Sequence, residues 1–172
     1  DDSDPNDTFE QDDAAGNRSS PYKKAVRTLC EQGVRWVIDL HGAGQDTPNM
    51  AAAQWVDLGF GRDNTALPED VARFLLHTIE TEFGPTSANR NGRSGFPASV
   101  ADRSITAFVN QTLRRHAAQI EMKPSVRVAR RRPDASMFAK PGQYGGAFSA
   151  PPENVLKMIQ ILRTLIIYLK EK

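Results

Sequence analysis

Val34-Arg35-Trp36-Val37-Ile38-Asp39-Leu40, closed by His41-Gly42, is a β-branched and aromatic run bounded by Gly33 and Gly42. A run of this composition predicts a buried strand with its chemistry at the carboxyl end. Upstream, Pro21 suits the first turn of a helix that sets Val26, Leu29 and Cys30 on one face and stops at Gly33. A helix feeding a strand in this way is the αβ half of a βαβ unit, which places the chain in the α/β class.

Working outward, the same grammar repeats. Gln54 to Gly59 is a weaker strand candidate, and Leu67 to Phe83 has helical spacing, with Pro68-Glu69-Asp70 at the positive end of the helix dipole. Gly84-Pro85 ends it. Asn89 to Ser99 reads as a Gly, Asn and Arg-rich loop, Ile105 to Arg114 as a helix, and His116 to Met122 as a strand stopped by Pro124. The clearest helix follows Pro151-Pro152-Glu153. Its predicted apolar stripe is Val155, Met158, Ile159, Leu162, Leu165, Ile166 and Leu169, with Lys157, Arg163 and Lys170 outward. The expected architecture is a single three-layer domain, with a mixed, mostly parallel sheet and helices on both faces.

Two stretches fall outside this frame. Residues 1–20 are rich in Asp, Asn, Ser and Gly and predict a polar loop, while residues 130–150 hold no sustained period and predict a long loop or flap. The chain has no initiator Met and opens as if inside a loop, so it reads as truncated at its amino terminus.

Composition narrows the class. The 172 residues are enough for one hydrophobic core, and a formal net charge of +1 gives no overall pull toward nucleic acid or anionic membrane. Arg130-Arg131-Arg132, Lys140 and Arg114-Arg115 are basic clusters, but no aromatic-interleaved nucleic-acid motif accompanies them. Cys30 is the sole cysteine, which rules out an intrachain disulfide and points to a reducing, cytoplasmic home. No apolar stretch approaches the roughly 20 residues needed to cross a bilayer.

Chemistry concentrates at two strand ends. Side chains two apart on a strand share a face, so Asp39 and His41 project together where ligands of α/β sheets gather. Imidazole is a first-choice zinc ligand, and a neighbouring carboxylate orients it or shares the metal; the plain alternative is a turn-capping Asp39 and a hydrogen-bonded His41. Glu121 ends the second strand. An acid there is costly to bury unless paired, solvated or used, and it serves either as a general base beside an activated water or in a salt bridge to an arginine.

Ile38-Asp39-Leu40-His41-Gly42, then Asp57-Leu58-Gly59, then Ala118-Gln119-Ile120-Glu121 with Arg127 behind it, resembles the N-formylglutamate amidohydrolase family. That family is related in fold to the zinc carboxypeptidases and aminoacylases, and the likeness runs from about residue 36 to residue 127 in the same order. The resemblance implies a zinc-dependent hydrolase of an amide C–N bond, with His41 as metal ligand, Glu121 as catalytic carboxylate and Asp39 as the partner that orients the ligand. The implied substrate is a small acyl-amino acid or acidic amide, whose carboxylate Arg127 or Arg18 would bind. Asp4-Pro5-Asn6 and Asn17-Arg18 also resemble the Asn-Arg carboxylate clamp of the carboxypeptidases. The His-containing metal motif that such families carry on an earlier strand is not in the chain, so the other ligands are expected ahead of Asp1.

Other readings compete. His41-Gly42-Ala43-Gly44 could be the oxyanion loop of an esterase, but no Gly-x-Ser-x-Gly turn supplies a nucleophile. A single Gly-x-Gly is too weak for a dinucleotide site. A non-catalytic scaffold or binding protein that kept the sheet and lost its metal is the remaining alternative.

Overall fold

The computed structural model describes residues 21–43, 54–90, 98, 104–131 and 148–172, and its first element is helix α1, Pro21–Glu31. Gly33 ends its turn at φ 105°, a conformation that residues with a Cβ rarely adopt, and so releases the chain into β1, Trp36–Gly42. Strand β2 spans Val56–Gly59, α2 Glu69–Phe83 and β3 Ala88–Arg90. A short helix α3, Ile105–Ala107, is capped by the Ser104 hydroxyl, which accepts from Ala107 N at 3.1 Å, and widens into a π-type turn over Phe108–Thr112. After β4, His116–Met122, come α4, Pro124–Arg127, the paired strands β5, Arg130–Arg131, and β6, Phe148–Ser149, and α5, Pro152–Lys170.

Among the described residues the main sheet has the order β1-β4-β2-β3, with β1 parallel to β4, β2 parallel to β3, and β2 antiparallel to β4. The alternation of Ala117 and Ala118 shows the layering. Ala118 packs with Ile120, Val56 and Leu58 against Val71, Leu75 and Ile79 of α2 and Met158, Ile161 and Leu165 of α5. Ala117 faces the other way, into Val26 and Cys30 of α1 and Ile105, Phe108 and Val109. The expected α/β class, mixed sheet and helices on both faces are what the structure shows. No described helix is long and apolar enough to cross a membrane.

Several local expectations are corrected. Strand β1, expected to be buried, lies at one end of the strand order, and Leu40 is 51% exposed; β2, the weaker candidate, is the fully buried interior strand. Hydrophobic content alone does not rank strands by position, because an edge strand can be as apolar as a central one. Asn89 and Arg90, expected in a loop, belong to β3, held by parallel pairing that is invisible to local pattern. In α1 the buried positions are Lys23, Val26 and Cys30, and Leu29 is exposed. Lys23 lays its aliphatic stem into the interface and sets its ammonium 5.5 Å from the Phe108 ring centroid. In α5 the buried line is Met158, Ile161, Leu165 and Leu169, while Ile159 and Ile166 are 56% and 54% exposed. The helix is therefore rotated from the expected stripe, and Lys157 turns inward to donate to Glu82 O at 3.0 Å. The ends of the 130–150 stretch are tied by the β5–β6 pairing, while residues 132–147 and 1–20 lie outside the described residues.

Candidate functional site

Register builds the site. In the parallel ladder His41 stands opposite Glu121, and in the antiparallel ladder on the other side of β4 Glu121 stands opposite Asp57. One step down, Asp39 is opposite Gln119, and Gln119 opposite Gly59. Directly paired residues point to the same face, so Asp39, His41, Gln119, Glu121 and Asp57 share the face opposite Ile38, Ile120 and Leu58. That face starts apolar, at Val37 and Ala117 under α1 and α3, and turns polar toward the carboxyl ends of β1 and β4.

The side chains converge. His41 Nε2 lies 3.1 Å from Asp39 Oδ2, and His41 Nδ1 lies 3.7 Å from Glu121 Oε1. The first contact lacks hydrogen-bond geometry at Oδ2. Gln119 Nε2 donates to Glu121 Oε1 at 2.8 Å. Asp39, Asp57, Gln119 and Glu121 are all buried. Burial holds the Glu121 carboxyl above its usual range, against the opposing pull of His41, the Gln119 amide and Arg127; the neighbouring Asp39 adds to the rise. A carboxyl whose surroundings favour its protonated form is a candidate for proton transfer.

Arg127 closes the carboxyl end of the ladder. Its Nε donates to Met122 O at 3.0 Å and its Nη2 to Ala43 O at 3.2 Å, bridging the ends of β4 and β1. A Cβ built at Gly42 would sit 2.7 Å from Arg127 Cζ, so this glycine is what lets the guanidinium lie across the strand.

Of the residues expected at the site, the fold brings His41, Asp39 and Glu121 into one cluster and puts Arg127 at its border, whereas Arg18 lies outside the described residues. His77 is exposed on α2, and His116 stacks on Trp36 at the opposite end of β4, with ring centroids 4.6 Å apart. Sequence reasoning gave no role to Gln119 or Asp57. The signal for Gln119 was present, since it lies two residues from Glu121, as Asp39 does from His41. Asp57 stood in the segment Asp57-Leu58-Gly59 that carries the resemblance, but only the β2–β4 pairing brings it to the site.

The zinc expected from the resemblance fits these residues in part. His41 is the right ligand type, with Asp39 beside Nε2 and Glu121 beside Nδ1. A catalytic zinc takes three protein donors and keeps an open position. Among the described residues no group of three or more His, Cys, Asp or Glu side chains has the arrangement to hold a metal ion. The described residues therefore do not complete such a centre. Comparison with protein-family models, curated proteins and solved structures gave no match.

Proposed function

We propose that the chain is an amide hydrolase of the N-formylglutamate amidohydrolase type, on a zinc carboxypeptidase-like sheet, acting on a small acyl-amino acid or acidic amide. One observation carries this: a buried carboxyl, raised by its surroundings, faces an imidazole at the carboxyl ends of two parallel strands. In this reaction Glu121 accepts a proton from water as the water oxygen attacks the carbonyl carbon. It then returns that proton to the nitrogen as the C–N bond breaks, so one group serves as base and then as acid. His41 supports the ionised carboxylate through Nδ1, and Asp39 holds the ring on the other side. Arg127, beside Gly42, supplies the cation for a substrate carboxylate. Zinc in such a site would polarise the carbonyl and water; because the described donors are incomplete, none of these steps is routed through it.

The absence of a three-donor group among the described residues favours a second function, a non-catalytic scaffold or binding protein built on the same sheet. Two measurements on the protein separate them: release of free amine from N-formyl and N-acetyl amino acids, and elemental zinc content. Hydrolysis that Glu121→Gln abolishes, with zinc that Glu121→Gln retains and His41→Ala loses, supports the hydrolase. Purified protein that cleaves none of these amides supports the scaffold.

A further inference from the structure

We propose that Gln119 is a positioning residue that fixes the orientation of Glu121, holding Oε1 by a hydrogen bond and so aiming Oε2 at the reacting water. This rests on Glu121 being the general base of the proposed hydrolysis. Among the described residues, the polar contacts of the carboxylate converge on one atom. Gln119 Nε2 donates to Oε1 at 2.8 Å, and His41 Nδ1 faces the same Oε1 at 3.7 Å. The amide orientation follows from chemistry, since an ionised carboxylate only accepts and the NH2 end of Gln119 must be the end turned toward it.

The placement makes the grip effective. Gln119 and Glu121 both lie on β4, an interior strand paired on both sides, and both side chains are buried. Residues two apart on a strand share a face but stand side by side, so their contact requires the Gln119 side chain to lean along the strand. Without that donor, the Glu121 side chain regains its terminal rotation, and a base that rotates loses the alignment on which proton transfer depends. Gln119 touches neither substrate nor reacting atoms in this scheme; it acts through Glu121.

Gln119→Met tests this, because it removes the donor while keeping an unbranched side chain of similar length. The expected result is a fall in kcat of about 10²-fold with KM little changed. Infrared spectra at alkaline pH give a readout independent of turnover. The carboxylate band assigned to Glu121, by difference from Glu121→Gln, shifts in Gln119→Met as the hydrogen bond to Oε1 is lost. Thermal melts of both variants confirm that the sheet is intact, and Gln119→Leu replaces Gln119→Met if the latter does not fold. A kcat within twofold of the parent, or an unshifted band, overturns the positioning role and leaves the hydrolase reading standing. A shifted band in a protein that cleaves no amide upholds the contact and removes the hydrolase reading instead.

Discussion

His41 and Glu121 meet across the β1–β4 ladder, with His41 Nδ1 3.7 Å from Glu121 Oε1 although 80 residues separate them in the chain. Proton transfer by a positioned side chain contributes about 10²- to 10⁴-fold to a rate. Glu121→Gln is therefore expected to lower kcat for amide hydrolysis by that range while leaving the fold intact. Stopped-time amine release with the parent and the variant checks it, and equal rates would remove Glu121 from the reaction.

The same carboxyl makes stability depend on pH. Burial raises its folded-state pKa above the unfolded value. Between the two values the folded chain keeps a proton that the unfolded chain has lost, so this stabilising contribution is complete below the unfolded pKa and falls away as pH rises through the folded pKa. Glu121→Gln lacks this decline and is expected to melt higher than the parent at neutral pH, with the gap closing toward acid. Parallel melting profiles of parent and variant across pH would contradict the buried, raised carboxyl.

Gly42 and Arg127 are expected to be energetically coupled. In Gly42→Ala the new methyl occupies the place of the guanidinium, whose nearest atom is 2.7 Å from the built Cβ. The flexible end of Arg127 gives way and surrenders its bonds to Met122 O and Ala43 O. Hydrogen bonds from a charged donor contribute about 1.5–3 kcal/mol, and a loss near that size is expected both for Gly42→Ala and for Arg127→Ala. Denaturant melts of the double variant should show losses well short of additive, as for groups sharing one interaction. Full additivity would mean that the two do not act together.

The rotation of α5 is checked by a contrast between neighbours. Ile161 is buried in the main core and Ile159 is exposed. Ile161→Ala should cost about 2–5 kcal/mol, and Ile159→Ala should fall within about 0.5 kcal/mol of the parent. The reverse ranking in urea titrations would restore the stripe expected from the sequence.

Much of this frame was legible because it is local. The strand His116–Met122 and the helices α1, α2 and α5 declare themselves through side-chain period and through Pro and Gly at their ends. The pairing of Asp39 with His41 followed from strand geometry alone, and Glu121 stood out as an acid ending an apolar run. The remainder depends on which strands become neighbours. Nothing local tells that β2 inserts antiparallel beside β4, and that choice alone sets Asp57 opposite Glu121; among the described residues β1 then lies at one end of the strand order. Lys23 was missed for another reason, since a lysine counts as polar in any pattern although its stem is apolar and its charge can rest near an aromatic face.

Gly42 and Val56 both pair with Met122, one from each side. The connection from β1 to β2 thus departs and returns on either flank of a single strand, one residue beyond Glu121. Glu121 therefore stands one rung inside a strand end that is backbone-paired on both flanks, which holds its main chain in place from two sides at once.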